Sequence, residues 1–453
     1  MHRTRLSITI NADMKNIYGT KRQWGDKIAL LGLFIAALLT ARLIVAFKSA
    51  LALSEPITLP HTGLSVSIPI GNGWQSEKQW RYRENTFILS SIFTAGSGRP
   101  TAWANCQYLL TTETRTPKTW FEQKASEVEG TIIKTDQKQM DTLTIDYTHI
   151  QKPEVFLDMF LGVTKLPNNR QLNIEVYQIT GDSNLAERAF KSIINSLNFE
   201  DNHLLEAGSE IITKIKSKGL NGFLDNQNQQ TFFMIKDSRG KNIGFTMDVL
   251  IDSGADAKLN ITAAGIFYIR ELQTFEQVTS FQCSNNLAEF IYKMETYDRT
   301  SRSGTEIILD EAGVTTVRKF DAQPEEKSYR LSPAAIPEVF IDQLFIQMLD
   351  SNQKEIVVDI IEAAGKITPT LISRIDLEKD AAADKDVAYV FEQELLDRRG
   401  FSEQVYLDNQ KQVYRRVAQQ ENIYILERTS AENIIREFPE HAEHILRNKQ
   451  MLK

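Results

Sequence analysis

The spacing of hydrophobic residues changes three times along the chain. Residues 28–47 (IALLGLFIAALLTARLIVAF) are apolar on every helical face and carry one charge, Arg42. At about 1.5 Å of rise per residue, such a run matches a bilayer core of roughly 30 Å, so it predicts a transmembrane helix over 28–49. Its membrane-embedded residues would be Ile28, Leu30, Leu31, Leu33, Phe34, Ile35, Leu38, Leu39, Leu43, Ile44, Val45 and Phe47, with Arg42 towards the far end, where its stem reaches the interface.

From Thr62 the apolar period shortens to two. Leu64, Val66, Ile68 and Ile70 alternate with other residues until Gly71-Asn72-Gly73 turns the chain ahead of Trp74, and 87–93 and 102–110 read as further strands. Thr116-Pro117 then places a hydroxyl at the N-cap and a proline at the first helical position. This predicts a helix through Trp120, Phe121 and Val128 that stops at Gly130. Strands follow at 142–149, 155–164 and 171–180, the last two joined by Pro167-Asn168-Asn169. A helix begins near Asn184, with Glu187 spaced for a capping box and Leu185, Ala186, Phe190, Ile193, Ile194 and Leu197 on one stripe. This order predicts an α+β layout with helices packed on an antiparallel sheet.

Beyond a polar joint at 201–203, hairpin signals dominate 205–453. Segments 232–236 and 243–251 flank the turn DSRGKN, and 259–270 and 277–283 continue the strand pattern. TEIILDEAGVTTVRK (305–319) and EQVYLDNQKQVYRRV (403–417) are alike: each is an apolar strand, a Leu-Asp turn and a return strand with a basic end at Arg318 or Arg416. Their spacing of about 98 residues suggests either a duplication or a chance likeness of two hairpins. Between them, Ser332-Pro333 starts a predicted helix carrying Ile336, Val339, Phe340, Ile341, Leu344, Phe345, Met348 and Leu349. It reads first as a core helix over a sheet, and otherwise as a helix lining the concave face of a curved sheet that holds an apolar ligand. Thr429 and Glu432 are spaced as a capping box for the last helix. The predicted organisation is therefore a basic tail at 1–27, the helix 28–49, an α+β domain at 54–200 and a larger β-rich α+β domain at 205–453.

Charge orients this scheme. The chain carries −7 overall, but 1–27 holds Arg3, Arg5, Lys15, Lys21, Arg22 and Lys27 against Asp13 and Asp26, which is +4 there and leaves −11 elsewhere. Cations ahead of the apolar run predict a cytoplasmic N-terminus, a single-pass anchor in membrane lipid and an extracytoplasmic bulk. A cleaved signal peptide is the alternative, since Ala50-Leu51-Ala52 resembles a cleavage site, although Arg42 and Lys48 interrupt the approach to it; translation starts at Met1 or at Met14. An acidic bulk without a basic patch excludes nucleic acid as a partner. With 42% hydrophobic and 25% charged residues, the chain is ordinary for a folded protein.

Candidate chemistry is sparse. Cys106 and Cys283 fall in different predicted domains without CxxC or His partners; small buried thiols are favoured over an inter-domain bridge. His441 and His444, beside Glu440 and Glu443, have a spacing that seats a metal on one helix face, but no third ligand follows, so a polar helix tail is favoured. Asp248 with Asp252, and Asp342 with Asp350, are carboxylate pairs of the kind used in acid-base work, yet 59 acidic residues make chance pairs common. The run 378–386 (EKDAAADKD) reads as an exposed loop. Phosphate-loop, dinucleotide, HExxH and GxSxG patterns are absent. No catalytic residue, cofactor or metal is expected.

Two resemblances follow from element order. The strand pair before Gly73-Trp74, the mid-domain helix, the hairpins and the closing helix AERAFKSIINSLNF (186–199) resemble the PsbP-like fold family of extrinsic, membrane-surface proteins over 54–200. The resemblance implies a small antiparallel sheet sandwiched by helices and serving as a docking module. The meander with an inserted helix in 205–453 is similar in outline to LolA-like lipoprotein-carrier half-barrels. Together these imply a binding protein whose partner is another envelope protein or an apolar ligand. A lipid or lipoprotein carrier is the alternative, and a hydrolase of envelope polymers, which would need a pocket with a raised-pKa carboxylate, is a further one.

Overall fold

In the computed structural model the described residues are 31–38, 51–94, 98–113, 115–140, 142–179, 184–200, 203–220, 229–252, 258–270, 275–297, 302–320, 325–376, 387–398, 400–419, 424–443 and 445–446. Met1–Ala52 and Leu53–Lys453 form two separate units.

In the first unit, residues 31–38 are helical, with Leu31, Leu33, Phe34, Ile35 and Leu38 exposed. Among the described residues no helix is long and apolar enough to cross a membrane, which corrects the transmembrane helix expected over 28–49. The described part of that span measures only about 12 Å along a helix axis. Ile28, Leu30, Leu39, Arg42, Leu43, Ile44, Val45 and Phe47 lie outside the described residues.

The second unit is built on three sheets, of three, eight and sixteen strands, and is mostly β, not the α+β class expected. The expectation failed because two-residue periodicity continues through 205–453 with few helical interruptions, so one large sheet outweighs the helices.

The eight-stranded sheet is antiparallel throughout. Trp74–Ser76, Thr86–Thr94, Pro100–Leu109, Arg170–Gln178, Leu157–Leu166, Thr144–Lys152 and Thr131–Gln139 neighbour one another in that order, and Arg81–Arg83 also pairs with Thr86–Thr94. Alternation sorts its faces: in Leu157–Leu166, Met159, Leu161 and Val163 meet Trp120, Phe121 and Ala125 of helix α1 (Pro117–Glu127). Phe160 and Gly162 meet Phe190 of helix α2 (Leu185–Ser196) on the other face, where a Cβ on Gly162 would stand 3.1 Å from the ring. Thr116 caps α1 by accepting the Thr119 N–H, as the sequence predicts. The capping box at α2 does not form: the Asn184 side chain caps nothing, Gln178 Oε1 accepts the Ala186 N–H instead, and Glu187 pairs with Lys191 at 2.6 Å.

Two elements escape the periodicity argument. Strand Thr131–Gln139 is an exposed edge with almost no apolar alternation. Helix α3 (His203–Lys218) occupies the expected polar joint and packs Leu205 beside Val357, with Gly208 so close to that strand that a Cβ would fall 2.0 Å from the Val357 carbonyl oxygen.

The sixteen-stranded sheet is a long antiparallel meander. Its eight strands from Gln229–Lys236 to Glu325–Arg330 run consecutively, as do the six from Glu355–Ile361 to Tyr424–Arg428, and the two runs join where Tyr424–Arg428 pairs with Gln229–Lys236. Three of its turns share one chemistry. Asp237, Asp310 and Asp408 each donate the backbone N–H to the carbonyl of the residue four on, and each Oδ1 accepts that residue's N–H (Lys241, Val314, Gln412) at 2.9 Å. The left-handed position falls on Gly240, Gly313 and Lys411, and at Lys411 the missing glycine costs about 1 kcal/mol. The likeness of 305–319 to 403–417 therefore rests on a turn that also closes a third hairpin.

The sheet curls until its ends approach. A Cβ on Gly365, in the turn after Glu355–Ile361, would meet Val317 Cγ1 of Thr315–Lys319 at 2.9 Å. Thr112–Glu113 ends the large sheet by pairing with Glu325–Arg330, and residues of the eight-stranded sheet's edge fill the seam: the Tyr82 hydroxyl donates to the Ile367 carbonyl, and Asn85 Oδ1 accepts the Ile367 N–H at 2.7 Å. Arg170 Nη2 reaches Asp359 Oδ2 at 2.7 Å with both side chains buried. Outside the curve, Phe245, Met247 and Val249 pack on Ile434 and Phe438 of and after helix α5 (Ala431–Glu437). Ser430 caps α5 by accepting the Asn433 N–H, which corrects the expected Thr429 cap. Inside the curve runs helix α4 (Ile341–Ser351), its Phe345 on Phe391, with Phe340 just before it on Phe281. The apolar helix expected from Ser332-Pro333 thus starts later, because Ala335–Pro337 is extended and pairs in parallel with Glu355–Ile361.

Candidate functional site

The inner face of the sheet follows from register. Asp248 lies opposite Gly265, Gly265 opposite Thr279, and Phe281 opposite Tyr292, so these side chains point to the concave side, away from the layer of α5. Gly265 makes room there: a Cβ would stand 2.7 Å from Thr279 Oγ1 and 2.9 Å from Asp248 Oδ1. Glu338 opens the turn of 3₁₀ helix before α4, whose Phe340 packs on Phe281 of this face at 5.2 Å.

Asp248 and Glu338 have accessible surface, yet protein surrounds both densely enough to desolvate them. Burial is the main cause that raises each carboxyl to about 7; Asp342 adds to it at Asp248, and Glu362, Asp248 and Glu403 add to it at Glu338, while Arg416 pulls both down. Tyr292 is 2% exposed, and burial followed by the charges of Glu338, Asp248 and Glu362 raises its phenol well above the ordinary range. Arg416 is already committed: it pairs with Asp342, and with Glu403 at 3.1 Å. Burial opposes its charge, but those two carboxylates hold it protonated.

A cleft of about 450 Å³ opens at the seam. Tyr82, Glu84 and Asn85 of the first sheet, Val317, Lys327 and Tyr329 of one sheet end, and Gly365, Lys366 and Asp397 of the other line it. The charge of Glu362 raises Tyr82 in the cleft and also Tyr292 and Glu338. Lys366 Nζ lies 2.6 Å from Asp397 Oδ2 and 3.6 Å from Glu362 Oε1.

The structure rearranges the carboxylate pairs expected from the sequence. Asp342 pairs with Arg416, whereas the Asp252 side chain lies outside the described residues and Asp350 bonds Lys411 at 2.7 Å. Glu338 and Tyr292 carried no sequence signal, being isolated in apolar or mixed segments. Cys106 and Cys283 are both buried and free, which answers the inter-domain bridge in the negative. His441 packs on Tyr268 at 4.3 Å, His444 lies outside the described residues, and no group of three potential metal ligands converges among the described residues. The run 378–386 also lies outside the described residues.

The sequence matches no protein-family model. It also matches no curated protein. Among solved structures, the chain is similar to a β-barrel-like protein of a domain of unknown function, DUF1849, from Brucella abortus, with 11% identity over 45% of this chain and 96% of that one and a TM-score of 0.34. A crystal structure from Bacteroides thetaiotaomicron VPI-5482 aligns with 12% identity over 37% of this chain and a TM-score of 0.22; the chain spans 62% of that one. Neither bears on the PsbP-like or LolA-like resemblance.

Proposed function

We propose that this protein acts by binding a small, partly apolar ligand in the lumen of its curved sheet, and that it works outside the cytoplasm, as the cations before residues 28–47 suggest. The observation that carries the reading is the inner face of the curved sheet, where Gly265 leaves space between Thr279 and Asp248. Leu250, Phe267 and Met294, half-buried on the same inner face, supply apolar wall.

The neutral dye N-phenyl-1-naphthylamine tests this. Saturable fluorescence enhancement is expected, and Gly265→Leu, which fills the space between Asp248 and Thr279, should abolish it. Absence of saturable binding, or binding that Gly265→Leu leaves unchanged, overturns the reading. The raised carboxyls of Asp248 and Glu338 favour one second reading, acid-base hydrolysis of an envelope polymer. Turnover of such a polymer that Glu338→Gln abolishes would establish it.

A further inference from the structure

The cleft at the seam shares no described lining residue with the space beside Gly265, and its chemistry is different. Its volume of about 450 Å³ lies among those of small-molecule sites, roughly 300–1,000 Å³. Ion pairs stitch its walls. Lys327 bonds Glu84, at the edge of the first sheet, at 3.3 Å and Glu325 at 2.8 Å, while Lys366 and Arg398 both approach Asp397 Oδ2, at 2.6 and 3.5 Å. Three lining groups are left open. The Asp397 side chain is 2% exposed, yet its Oδ1 has no hydrogen-bond partner; two cations already balance its charge, so it lacks a neutral donor. Tyr329 is 8% exposed and its hydroxyl makes no hydrogen bond with a described residue; burial raises its phenol, which stays protonated and able to donate. Lys319 carries no ion pair with a described residue, and the described lining holds five cations against three acids, an excess of +2 in a chain of −7. Register spaces the open groups: Tyr329 stands opposite Thr315, and Lys319 lies on the same face four residues along, about 13 Å away. A compact inorganic anion would bring its whole charge against Asp397, and a neutral sugar would leave Lys319 unused. What suits all three is an anion whose carboxylate is held at a distance from several hydroxyls, each able both to donate and to accept.

We propose that the seam cleft binds an acidic carbohydrate, a uronate disaccharide or the end of a longer chain of such units. Its hydroxyls take the open positions on Asp397 and Tyr329, and a ring carboxylate pairs with Lys319. This site is additional to the inner face of the curved sheet and stands without it, since the two have no described lining residue in common.

Calorimetry on the full chain with three probes tests this: digalacturonate, its dimethyl ester, which keeps the ring hydroxyls without the charge, and suberate, which keeps two carboxylates without the hydroxyls. Digalacturonate should bind, and each of the others roughly tenfold more weakly or worse. Lys319→Gln should weaken digalacturonate roughly tenfold and leave the ester unchanged. Tyr329→Phe, which removes one hydroxyl, should weaken digalacturonate roughly fivefold and leave suberate unchanged. Asp397→Asn should also weaken digalacturonate, whereas in a site that reads charge alone the loss of an acid tightens an anion. Equal affinity for digalacturonate and suberate, or tighter digalacturonate binding by Asp397→Asn, overturns the carbohydrate assignment. Absence of digalacturonate binding, or binding that Lys319→Gln and Tyr329→Phe both leave unchanged, overturns the site. Gly265→Leu should leave digalacturonate binding intact, and its loss in that variant while the fold is retained overturns the placement at the seam.

Discussion

The Arg170–Asp359 pair offers a sharp test of how the two sheets are held together. Arg170 opens strand Arg170–Gln178 of the first sheet and is 3% exposed, while Asp359, on Glu355–Ile361 of the second, is fully buried. Arg170 Nη1 also donates to the Leu110 carbonyl at 2.9 Å. The Nη2 contact with Asp359 is short but off the N–H direction, and neither Asp359 oxygen makes a hydrogen bond among the described residues. The pairing is therefore one of charge, with desolvation only partly offset. Arg170→Met would strand a buried carboxylate and should cost about 3–5 kcal/mol, close to a thousandfold in the folding equilibrium. Arg170→Met with Asp359→Leu removes both charges and should recover most of that loss, giving a coupling energy well above the about 1 kcal/mol of a surface pair. The Arg170→Met defect should also shrink on acidification, because protonating Asp359 removes the stranded charge. Urea unfolding followed by two probes makes the measurement. Trp74, Trp80, Trp103 and Trp120 report the first sheet, the remaining tryptophan is Trp24, and far-UV circular dichroism is weighted to the larger sheet. A loss below about 1 kcal/mol for Arg170→Met, or strictly additive single variants, would refute the claim that this pair fastens the sheets.

Two more outcomes follow from the geometry. The folded carboxyl of Asp248 rises to about 7 from an ordinary 3.8, so the folded chain holds a proton that the unfolded chain has released; stability falls as pH rises through that window, and Asp248→Asn should match wild type near pH 4 and exceed it at pH 8. The gain should stay below the roughly 1.4 kcal/mol per pH unit of a fully enclosed group, because Asp248 is exposed, and thermal melts at the two pH values would expose a wrong sign. Gly208→Ala should destabilise the protein by about 1–3 kcal/mol although alanine favours helix, because its Cβ would meet the Val357 carbonyl oxygen; an unchanged or raised melting temperature would contradict that packing.

What the sequence by itself determined is local. The Thr116-Pro117 start of α1, the Gly71-Asn72-Gly73 and Asn168-Asn169 turns, and the Asp-led turns at 237, 310 and 408 are all fixed by neighbours within a few residues, and each is legible as spacing. Thr131–Gln139 and α3 were not legible, since an exposed edge strand needs no apolar alternation and α3 is defined by the strand it covers. The capping boxes at Asn184 and Thr429 were read from spacing but lost to Gln178 and Ser430, which tertiary placement brought nearer. Only the tertiary structure decided the curl of the large sheet, the filling of its seam by Tyr82 and Asn85, and the pairing of Asp342 with Arg416, 74 positions apart in sequence. The reason is physical: strand periodicity specifies which face a residue takes, while the accumulated twist of sixteen strands specifies which faces finally confront each other. No window of sequence contains that sum.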